Sequence, residues 1–246
     1  MNSNDKQYDR IGPQGLTIVQ DRKGVKASVD ALLLADFCRV EPGWRIADLG
    51  CGNGLVGMML GADCARCFVM GVEVQRRLIS HAAEGARLNE LQNMAFVCGD
   101  LRAFPWEQNC GRFDLVAANP PYRRVGTGRI SPDAARAAAR HELLGNAHDF
   151  ARSASALLRS GGRSAWIYLN ERLDDLFDAI GDNHMEPVRL RKVHSREDSS
   201  PSLVLVEAIK DAALLESLTE EPPLILYRGR EGRDYTDEAR RILYGS

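Results

Sequence analysis

Four consecutive residues, Asn119-Pro120-Pro121-Tyr122, follow an apolar stretch at 113–118 that the sequence predicts to be a buried strand. The two prolines fix φ, lack N–H donors and hold the residues before them extended, so a rigid corner presents carbonyl oxygens and the Asn119 side chain. Such a corner suits a planar exocyclic amine. The Asn119 side-chain oxygen and the Pro120 carbonyl oxygen could each accept one amine hydrogen and favour a more nucleophilic nitrogen, while Tyr122 stacks on the flat group. An ordinary Asn-Pro turn after a strand is the alternative interpretation.

A glycine-rich loop is the second chemical feature. The segment 44–49 is predicted to be a strand, Gly50-Cys51-Gly52-Asn53-Gly54 a tight loop, and 55–60 the start of a helix. Glycines let the backbone approach a ligand closely, and the N-terminus of the following helix offers unpaired N–H groups. Because Leu55 stands where the dinucleotide fingerprint has its third glycine, the loop is not of the type that binds NAD or FAD.

Two acidic residues follow the next predicted strands. Glu73 ends the strand predicted at 68–73, where a carboxylate can accept hydrogen bonds from both hydroxyls of a ribose. Taken by itself, Glu73 would more simply be a solvated strand end. Asp100 comes after the strand predicted at 94–98, where an adenine amine would need an acceptor. An N-cap for a short helix from Leu101 is an equally good interpretation of Asp100, and the two roles are compatible.

Composition narrows the class of protein. With 246 residues, 44% of them apolar and 27% charged, the chain is long enough to bury the core of one α/β domain spanning 1–246. The net charge of −2 gives no general attraction for a polyanion, so any contact with nucleic acid must come from local clusters of basic residues. Residues 1–10 are polar and no apolar run reaches membrane-spanning length, so we expect a cytoplasmic protein without a membrane partner.

The six cysteines lie mostly in predicted core elements, and we expect them to be reduced. Cys64 and Cys67 form a lone Cys-x-x-Cys, without a second pair or a nearby set of histidines, so we expect no metal site. No pattern in the chain indicates an oligomeric state.

From residue 44 onward, predicted strands and helices alternate. Strands are predicted near 44–49, 68–74, 94–98, 113–118 and 163–169, and helices near 54–62, 75–91, 142–159 and 170–180. This alternation predicts a doubly wound, mainly parallel sheet of the α/β class. Two further apolar stretches, at 188–194 and 203–208, flank a polar turn and predict an antiparallel hairpin that closes the sheet at its edge.

Extensions flank this core, which we expect to span 44–210. The N-terminal part, 1–43, is expected to hold a short strand at 16–20 and a helix over 29–38 with Ser28 as its N-cap. The C-terminal part, 211–246, contains an apolar stretch at 224–227 and a terminal helix from Thr236, whose Thr-x-x-Glu pattern fits a capping box.

Two basic sets could bind phosphates. Arg123, Arg124 and Arg129 follow the Asn-Pro-Pro-Tyr corner, where they would supply sequence-independent affinity for a nucleic acid. A solvated loop is the alternative. The second set lies on the predicted hairpin and comprises Arg189, Arg191, Lys192, His194 and Arg196, of which we expect the first three to contact RNA. Its alternative interpretation is a charged edge strand that resists aggregation.

The Asp48-x-Gly-x-Gly-x-Gly pattern resembles motif I of class I S-adenosylmethionine-dependent methyltransferases. The resemblance implies a Rossmann-like α/β fold, with a mainly parallel seven-stranded sheet and a C-terminal antiparallel edge hairpin, and S-adenosylmethionine as the cofactor. The residues that we expect at the cofactor are Asp48, Gly50, Cys51, Gly52, Asn53, Gly54, Glu73, Val74, Asp100, Leu101 and Asn119.

The order of motifs along nearly the whole chain resembles the bacterial tRNA1(Val) adenine-N6-methyltransferase family. The motifs are 26–37, the glycine loop, the Asn-Pro-Pro-Tyr corner, His141-Glu142, the arginine hairpin and the tail at 235–244. This resemblance implies methylation of N6 of adenine 37, next to the anticodon of a tRNA, with Asn119, Pro120, Pro121 and Tyr122 at the reacting amine. It adds Lys26 to the expected RNA contacts. Members commonly have Thr at the positions of Cys51 and Asn53, which contribute backbone more than side chain.

Other substrates share the Asn-Pro-Pro-Tyr signature, which indicates the reaction more closely than the substrate. DNA adenine methyltransferases usually carry a sizeable target-recognition domain, and ribosomal-RNA guanine enzymes often duplicate the domain; neither fits this chain. The runner-up is a protein glutamine N5-methyltransferase acting on a release factor or ribosomal protein. Those enzymes carry an N-terminal helical domain, whereas 43 residues precede the first core strand predicted here.

Overall fold

The computed structural model describes residues 6–22, 28–103, 108–121, 145–212, 217–229 and 231–245. Its strands are β1 (Lys6–Ile11), β2 (Leu16–Asp21), β3 (Arg45–Leu49), β4 (Phe68–Glu73), β5 (Met94–Cys98), β6 (Phe113–Ala118), β7 (Leu158–Leu169), β8 (Met185–His194), β9 (Pro201–Lys210) and β10 (Thr219–Ile225). Its helices are α1 (Val29–Phe37), α2 (Leu55–Asp63), α3 (Arg76–Leu88), α4 (Ala147–Leu157), α5 (Leu173–Gly181) and α6 (Asp237–Tyr244).

The central sheet has the order β10-β8-β9-β7-β6-β3-β4-β5. Five neighbouring strands, β7, β6, β3, β4 and β5, are parallel to one another. Strand β9 runs antiparallel to both β7 and β8. The chain builds outward from β3 to β4 and β5, and then crosses back to place β6 on the other side of β3. This reversal makes the carboxyl ends of β3 and β6 the topological switch point, where open α/β sheets bind ligands. The doubly wound, mainly parallel α/β fold predicted from the sequence is therefore confirmed.

The edge of the sheet differs from the prediction. Eight strands form the central sheet in the part of the chain that the structure describes, one more than the seven expected. The eighth is β10, which begins at Thr219, earlier than the apolar stretch at 224–227, and pairs in parallel with β8. The β8–β9 hairpin is thus covered and does not form the edge. An edge position also explains how β10 accommodates Pro222 and Pro223, which cannot donate to a neighbouring strand, with a register shift between Glu221 and Leu224.

Each face of the sheet buries a separate hydrophobic cluster. One cluster includes α1, α2 and α6, together with sheet residues such as Ile46 and Leu115. The other packs α4 and α5 against residues such as Ala47 and Leu49. Neighbouring residues of β3 thus face opposite sides of the sheet, as expected for strands buried on both faces.

The N-terminal segment forms a hairpin outside the central sheet. The polar stretch 6–11, for which no strand was predicted, is strand β1, and it pairs antiparallel with β2. Ion pairs anchor the hairpin to α3, where Lys6 pairs with Glu84 and Arg77 with Asp21. Ser28 stands at the N-cap position of α1, as predicted, but its side chain makes no capping hydrogen bond.

The cysteines also depart from the prediction at one place. Cys64 and Cys67 form a disulfide across the turn between α2 and β4, with their Cα atoms 5.5 Å apart. The expectation that all six cysteines are reduced is wrong for this pair. Cys38, Cys51, Cys98 and Cys110 are free thiols, and burial raises the pKa of Cys51 well above its usual value.

Candidate active site

The glycine loop after β3 takes conformations that suit glycine. Gly50, Gly52 and Gly54 have φ values of 66°, 56° and 83°, all in the left-handed region. A Cβ at Gly54 would lie 2.9 Å from the Cβ of Ala82, and one at Gly50 would lie 3.0 Å from the ring of Phe150. Close packing therefore adds to the conformational demand at these two positions. A Cβ at Gly52 would meet no atom within 4 Å, so the middle of the loop faces open space.

Asp48 lies beneath the start of helix α2. Its side chain is buried, and its Oδ2 accepts a hydrogen bond from the N–H of Gly57 at 3.0 Å. Burial raises the pKa of the Asp48 carboxyl to about 7, although the Gly57 bond opposes the shift. The carboxylate thus joins the end of β3 to the first turn of α2 and fixes the loop between them.

Glu73 ends β4 and points back at the same loop. Its Oε2 accepts from the Gly52 N–H at 3.1 Å, and its Oε1 accepts from the Gln75 N–H at 2.9 Å. The Glu73 side chain is 7% exposed, so the alternative interpretation of Glu73 as a solvated strand end does not hold. Val74, the next residue, is 40% exposed and offers an apolar surface beside the carboxylate.

Asp100 follows β5 and organises a short turn. Its Oδ1 accepts from the Arg102 N–H at 2.9 Å, and the Arg102 guanidinium binds both carboxylate oxygens at 2.7–3.1 Å. Hydrogen bonding by Arg102 lowers the pKa of Asp100. Residues 101–103 form a turn, in which the Ala103 N–H donates to the Asp100 carbonyl at 3.0 Å. The short helix expected from Leu101 would continue into 104–107, which lie outside the described residues, so it stays a prediction. Gly99 N–H donates to the Glu73 carbonyl at 3.1 Å, so the second and third acidic positions are joined by backbone.

The Asn119 corner lies beside the glycine loop. Strands β3 and β6 are neighbours with Leu49 opposite Ala118, so Asn119 and Gly50 leave the same edge of the sheet one strand spacing apart, about 5 Å. Pro120 is buried, whereas Asn119 and Pro121 are half-buried. The Asn119 side chain makes no hydrogen bond to another described residue.

Several predicted site residues lie outside the described residues. They are Lys26, Tyr122, Arg123, Arg124 and Arg129, together with His141 and Glu142. Their assignments stay predictions.

The basic residues of the β8 strand are paired internally. Arg189 is 7% exposed, donates to Glu207 at 2.8 Å and to the Phe37 carbonyl at 2.7 Å, and stacks on the Phe37 ring at 3.7 Å. This burial leaves little of the Arg189 side chain exposed to RNA, and the RNA contact stays a prediction. Arg191 binds Glu238 at 2.7 Å, and Lys192 binds Glu220 at 2.9 Å. Of these acidic partners, Glu220 lies on β10 and Glu238 on α6. The positive charge of the predicted basic stripe is therefore largely neutralised by carboxylates of the same protein.

Two contacts between distant segments support the glycine loop, and the sequence analysis did not predict them. Phe150 on α4 supports Gly50, and a Cβ added at Gly57 would lie 3.3 Å from the Asp48 Oδ2. An isolated glycine inside an apolar helix is a signal of close packing, so Gly57 could have been found. Phe150 carries no such signal, because any apolar residue at its place in the helix would satisfy the pattern.

Among the described residues, no group of three or more His, Cys, Asp or Glu side chains is arranged to hold a metal ion. In the same part of the chain, no helix is both long and apolar enough to cross a membrane.

Three features together define a class I methyltransferase with S-adenosylmethionine as its cofactor. They are the order of strands in the sheet, the glycine loop after β3, and the acidic residues at or just after the ends of β4 and β5. The model of the methyltransferase small domain family matches residues 26–176, and the chain belongs to this family.

Individual relatives agree with this placement. A Porphyromonas gingivalis protein named tRNA1(Val) (adenine(37)-N6)-methyltransferase is 31% identical over 213 residues, which are 82% of this chain and 78% of the relative. A Bacteroides fragilis protein of the same name is 27% identical over 191 residues, 77% of this chain and 79% of the relative. Among solved structures, a protein of Agrobacterium tumefaciens described as a predicted O-methyltransferase superposes with a TM-score of 0.69 at 23% identity, covering 87% of this chain and 94% of that one. The likeness to this last structure concerns the fold alone.

Proposed function

We propose that this protein transfers the methyl group of S-adenosylmethionine to N6 of an adenine in tRNA, at position 37 of tRNA1(Val). The observation that carries the proposal is the placement of the Asn119 amide and the two prolines one strand away from the glycine loop. This arrangement brings an acceptor for an exocyclic amine to the edge where the cofactor would bind. The names of the Porphyromonas and Bacteroides relatives support tRNA as the substrate.

The residues present fit S-adenosylmethionine. The space in front of Gly52 is open, and the neighbouring Glu73 carboxylate has lone pairs left for the ribose hydroxyls after it has accepted from Gly52 and Gln75. Gly50, Gly52 and Gly54 would line the amino-acid end of the cofactor. Val74 would lie against the adenine ring, and Asp100 would accept from its amine. When bound, the cofactor supplies an electrophilic methyl group on a positively charged sulfur.

The chain's own task is then to hold the target amine. An adenine turned out of its stack would donate its two N6 hydrogens to the Asn119 side-chain oxygen and the Pro120 carbonyl oxygen. These bonds would orient the nitrogen lone pair toward the methyl group and stabilise the positive charge that develops on nitrogen. Tyr122 would stack on the base. No nucleophilic side chain is needed, because the nitrogen itself attacks and its surplus proton can pass to water.

Substrate identity is tested directly by methyl transfer. The full chain is incubated with labelled S-adenosylmethionine and, separately, bulk tRNA, DNA and a release factor, and the products are analysed as nucleosides or amino acids. We expect label in N6-methyladenosine from tRNA. Label in a glutamine of the release factor would replace the proposal with the runner-up.

The arginines after the corner offer a second test. If Arg123, Arg124 and Arg129 contact phosphates, charge reversal there should weaken tRNA binding and lower its salt dependence by roughly one unit of slope per lost contact. The affinity for S-adenosylmethionine should not change. Arg66→Glu is a matched control, because Arg66 is exposed and lies before β4, at the opposite end of the sheet. A tRNA substrate would also place the reaction in the cytoplasm.

A further inference from the structure

One buried hydroxyl joins helix α4 to the turn after β5. Ser153 on α4 is fully buried, and its Oγ lies 2.9 Å from the carbonyl oxygen of Leu101, which is 52 residues earlier in the chain. The same Oγ lies 2.9 Å from the Asp149 carbonyl in the preceding helical turn. A serine within a helix commonly bonds to that preceding carbonyl alone. Here the hydroxyl also reaches a loop that would contact the cofactor.

The turn that carries Asp100 is held on both sides. Before Asp100, the Gly99 N–H donates to the Glu73 carbonyl at 3.1 Å. After it, Leu101 is 6% exposed and packs into the core that includes α4, and its carbonyl oxygen shares the single Ser153 hydroxyl hydrogen with the Asp149 carbonyl. The bond from Ser153 therefore sets how the turn sits between β4 and α4. Asp100 stands between these two attachments.

We infer that Ser153 is a positioning residue that places the Asp100 carboxylate for the amine of the cofactor's adenine, and so helps the protein to distinguish adenine from an oxo-purine. The inference rests on the proposed function, since it takes Asp100 as the acceptor of that amine.

The rest of α4 points to the same role. Phe150 lies one turn before Ser153 and packs against Gly50 of the glycine loop. A Cβ added at Gly50 would lie 3.0 Å from the Phe150 ring. Helix α4 thus contacts both the loop at the amino-acid end of the cofactor and the turn at its adenine end. The Asp100 carboxylate is already oriented by Arg102, whose backbone N–H, Nε–H and Nη2–H occupy three of its four lone-pair sites, so one site remains for a further donor. A carboxylate fixed in this way accepts from an amine but repels the carbonyl oxygen of hypoxanthine.

The test compares two ligands that differ at the purine 6-position and in the proton that the oxo form carries on the adjacent N1. Binding of S-adenosylhomocysteine and of S-inosylhomocysteine to the full chain is measured by calorimetry. We expect the wild type to prefer the adenine ligand by on the order of tenfold to a hundredfold, as loss of a charge-assisted hydrogen bond implies. Ser153→Ala should reduce this preference by about threefold or more, because the Leu101 carbonyl loses its donor and the turn can shift. Asp100→Ala should reduce it further, and Ser153→Ala should then add nothing in that background, since the two act as one unit.

The control is Ser155→Ala, the same substitution on the same helix. Ser155 is half-buried and its hydroxyl makes no hydrogen bond to another described residue, so the ligand preference should stay at the wild-type value. If Ser153→Ala does not fold, Ser153→Cys replaces it and should show an intermediate preference, because a thiol is a weak donor. An unchanged preference in a Ser153 variant whose melting temperature has fallen would show a merely structural role and overturn the inference. A wild type that binds neither ligand would instead contradict the proposed cofactor site as a whole.

Discussion

The Glu73 carboxylate accepts a hydrogen bond from the Gly52 N–H at 3.1 Å, although the two residues are 21 positions apart. The bond links the end of β4 to the middle of the glycine loop, so the group that would bind the ribose also shapes the loop that would bind the amino-acid end. A second bond, from the Gln75 N–H, fixes the other oxygen. Removing the carboxylate should therefore affect both ends of the cofactor site.

Glu73→Gln and Glu73→Ala should both weaken the binding of S-adenosylmethionine. The amide of Gln keeps one acceptor but loses the charge, so we expect a loss of about tenfold for Gln and more for Ala, in line with about 1.5–3 kcal/mol for hydrogen bonds to a charged group. Isothermal calorimetry on the full chain measures the change. Glu90→Gln, at an exposed position just after α3, is the control and should bind like the wild type. Equal affinity in wild type and Glu73→Ala would exclude Glu73 from the cofactor site.

The buried Asp48 predicts a pH dependence of stability. Burial raises its pKa from 3.8 to about 7 in the folded protein, so between these values the folded state holds a proton that the unfolded state has lost. This contribution to stability is fully present below pH 4 and is lost as the pH rises through 7. At about 1.4 kcal/mol per pKa unit, the full change is on the order of 4 kcal/mol.

The measurement is urea unfolding of the wild type and Asp48→Asn from pH 4 to pH 8. Asn keeps an acceptor for the Gly57 N–H but cannot ionise, so the difference in unfolding free energy isolates the titration of Asp48. We expect the unfolding free energy of the wild type minus that of the variant to fall across this range and to level off above pH 7. A difference that stays constant with pH would mean that Asp48 does not titrate with a raised pKa.

The buried Arg189–Glu207 pair should matter for stability and not for RNA binding. Glu207→Ala leaves a buried guanidinium with one carboxylate fewer, and we expect a loss of about 3–5 kcal/mol in unfolding free energy. Lys192→Gln breaks the exposed pair with Glu220 and should cost about 1 kcal/mol or less.

Denaturant titrations of the two variants give both values. The salt dependence of tRNA binding by Arg189→Met, combined with Glu207→Leu to avoid a lone buried charge, provides the second readout. Its slope should equal that of the wild type, because a buried guanidinium releases no counterions. A reduced slope would restore Arg189 to the RNA surface.

Local patterns predicted the core fold, and long-range partners account for most of the differences. The apolar strands, the glycine loop and the acidic strand ends have periodicities and spacings that a single segment carries, so their places followed from the sequence. The burial of Arg189 did not follow from the sequence. The alternation of side chains along β8 is the same whether Arg189 faces solvent or lies beside carboxylates that neutralise it. The polar segment 6–11 forms β1 because β2 offers it a partner, which local hydropathy cannot indicate. Ser153 likewise depends on a contact across 52 residues.

Asn119→Ala tests the proposed chemistry most directly. The variant removes the side-chain oxygen that would accept one N6 hydrogen, while the Pro120 carbonyl remains. We expect turnover with tRNA to fall by about a hundredfold or more, as removal of one preorganised polar group typically does. The affinity for S-adenosylmethionine should change little, because the corner would contact the substrate amine more than the cofactor.

Single-turnover methyl transfer with saturating tRNA separates chemistry from binding in this variant. Asn119→Asp is the informative companion, since a carboxylate keeps an acceptor at the same place but adds a negative charge beside the developing cation. It should retain more activity than Asn119→Ala. Since the Asn119 side chain makes no hydrogen bond to another described residue, neither change should lower the melting temperature appreciably. Full turnover by Asn119→Ala would show that the amine is oriented by other groups and would refute this mechanism.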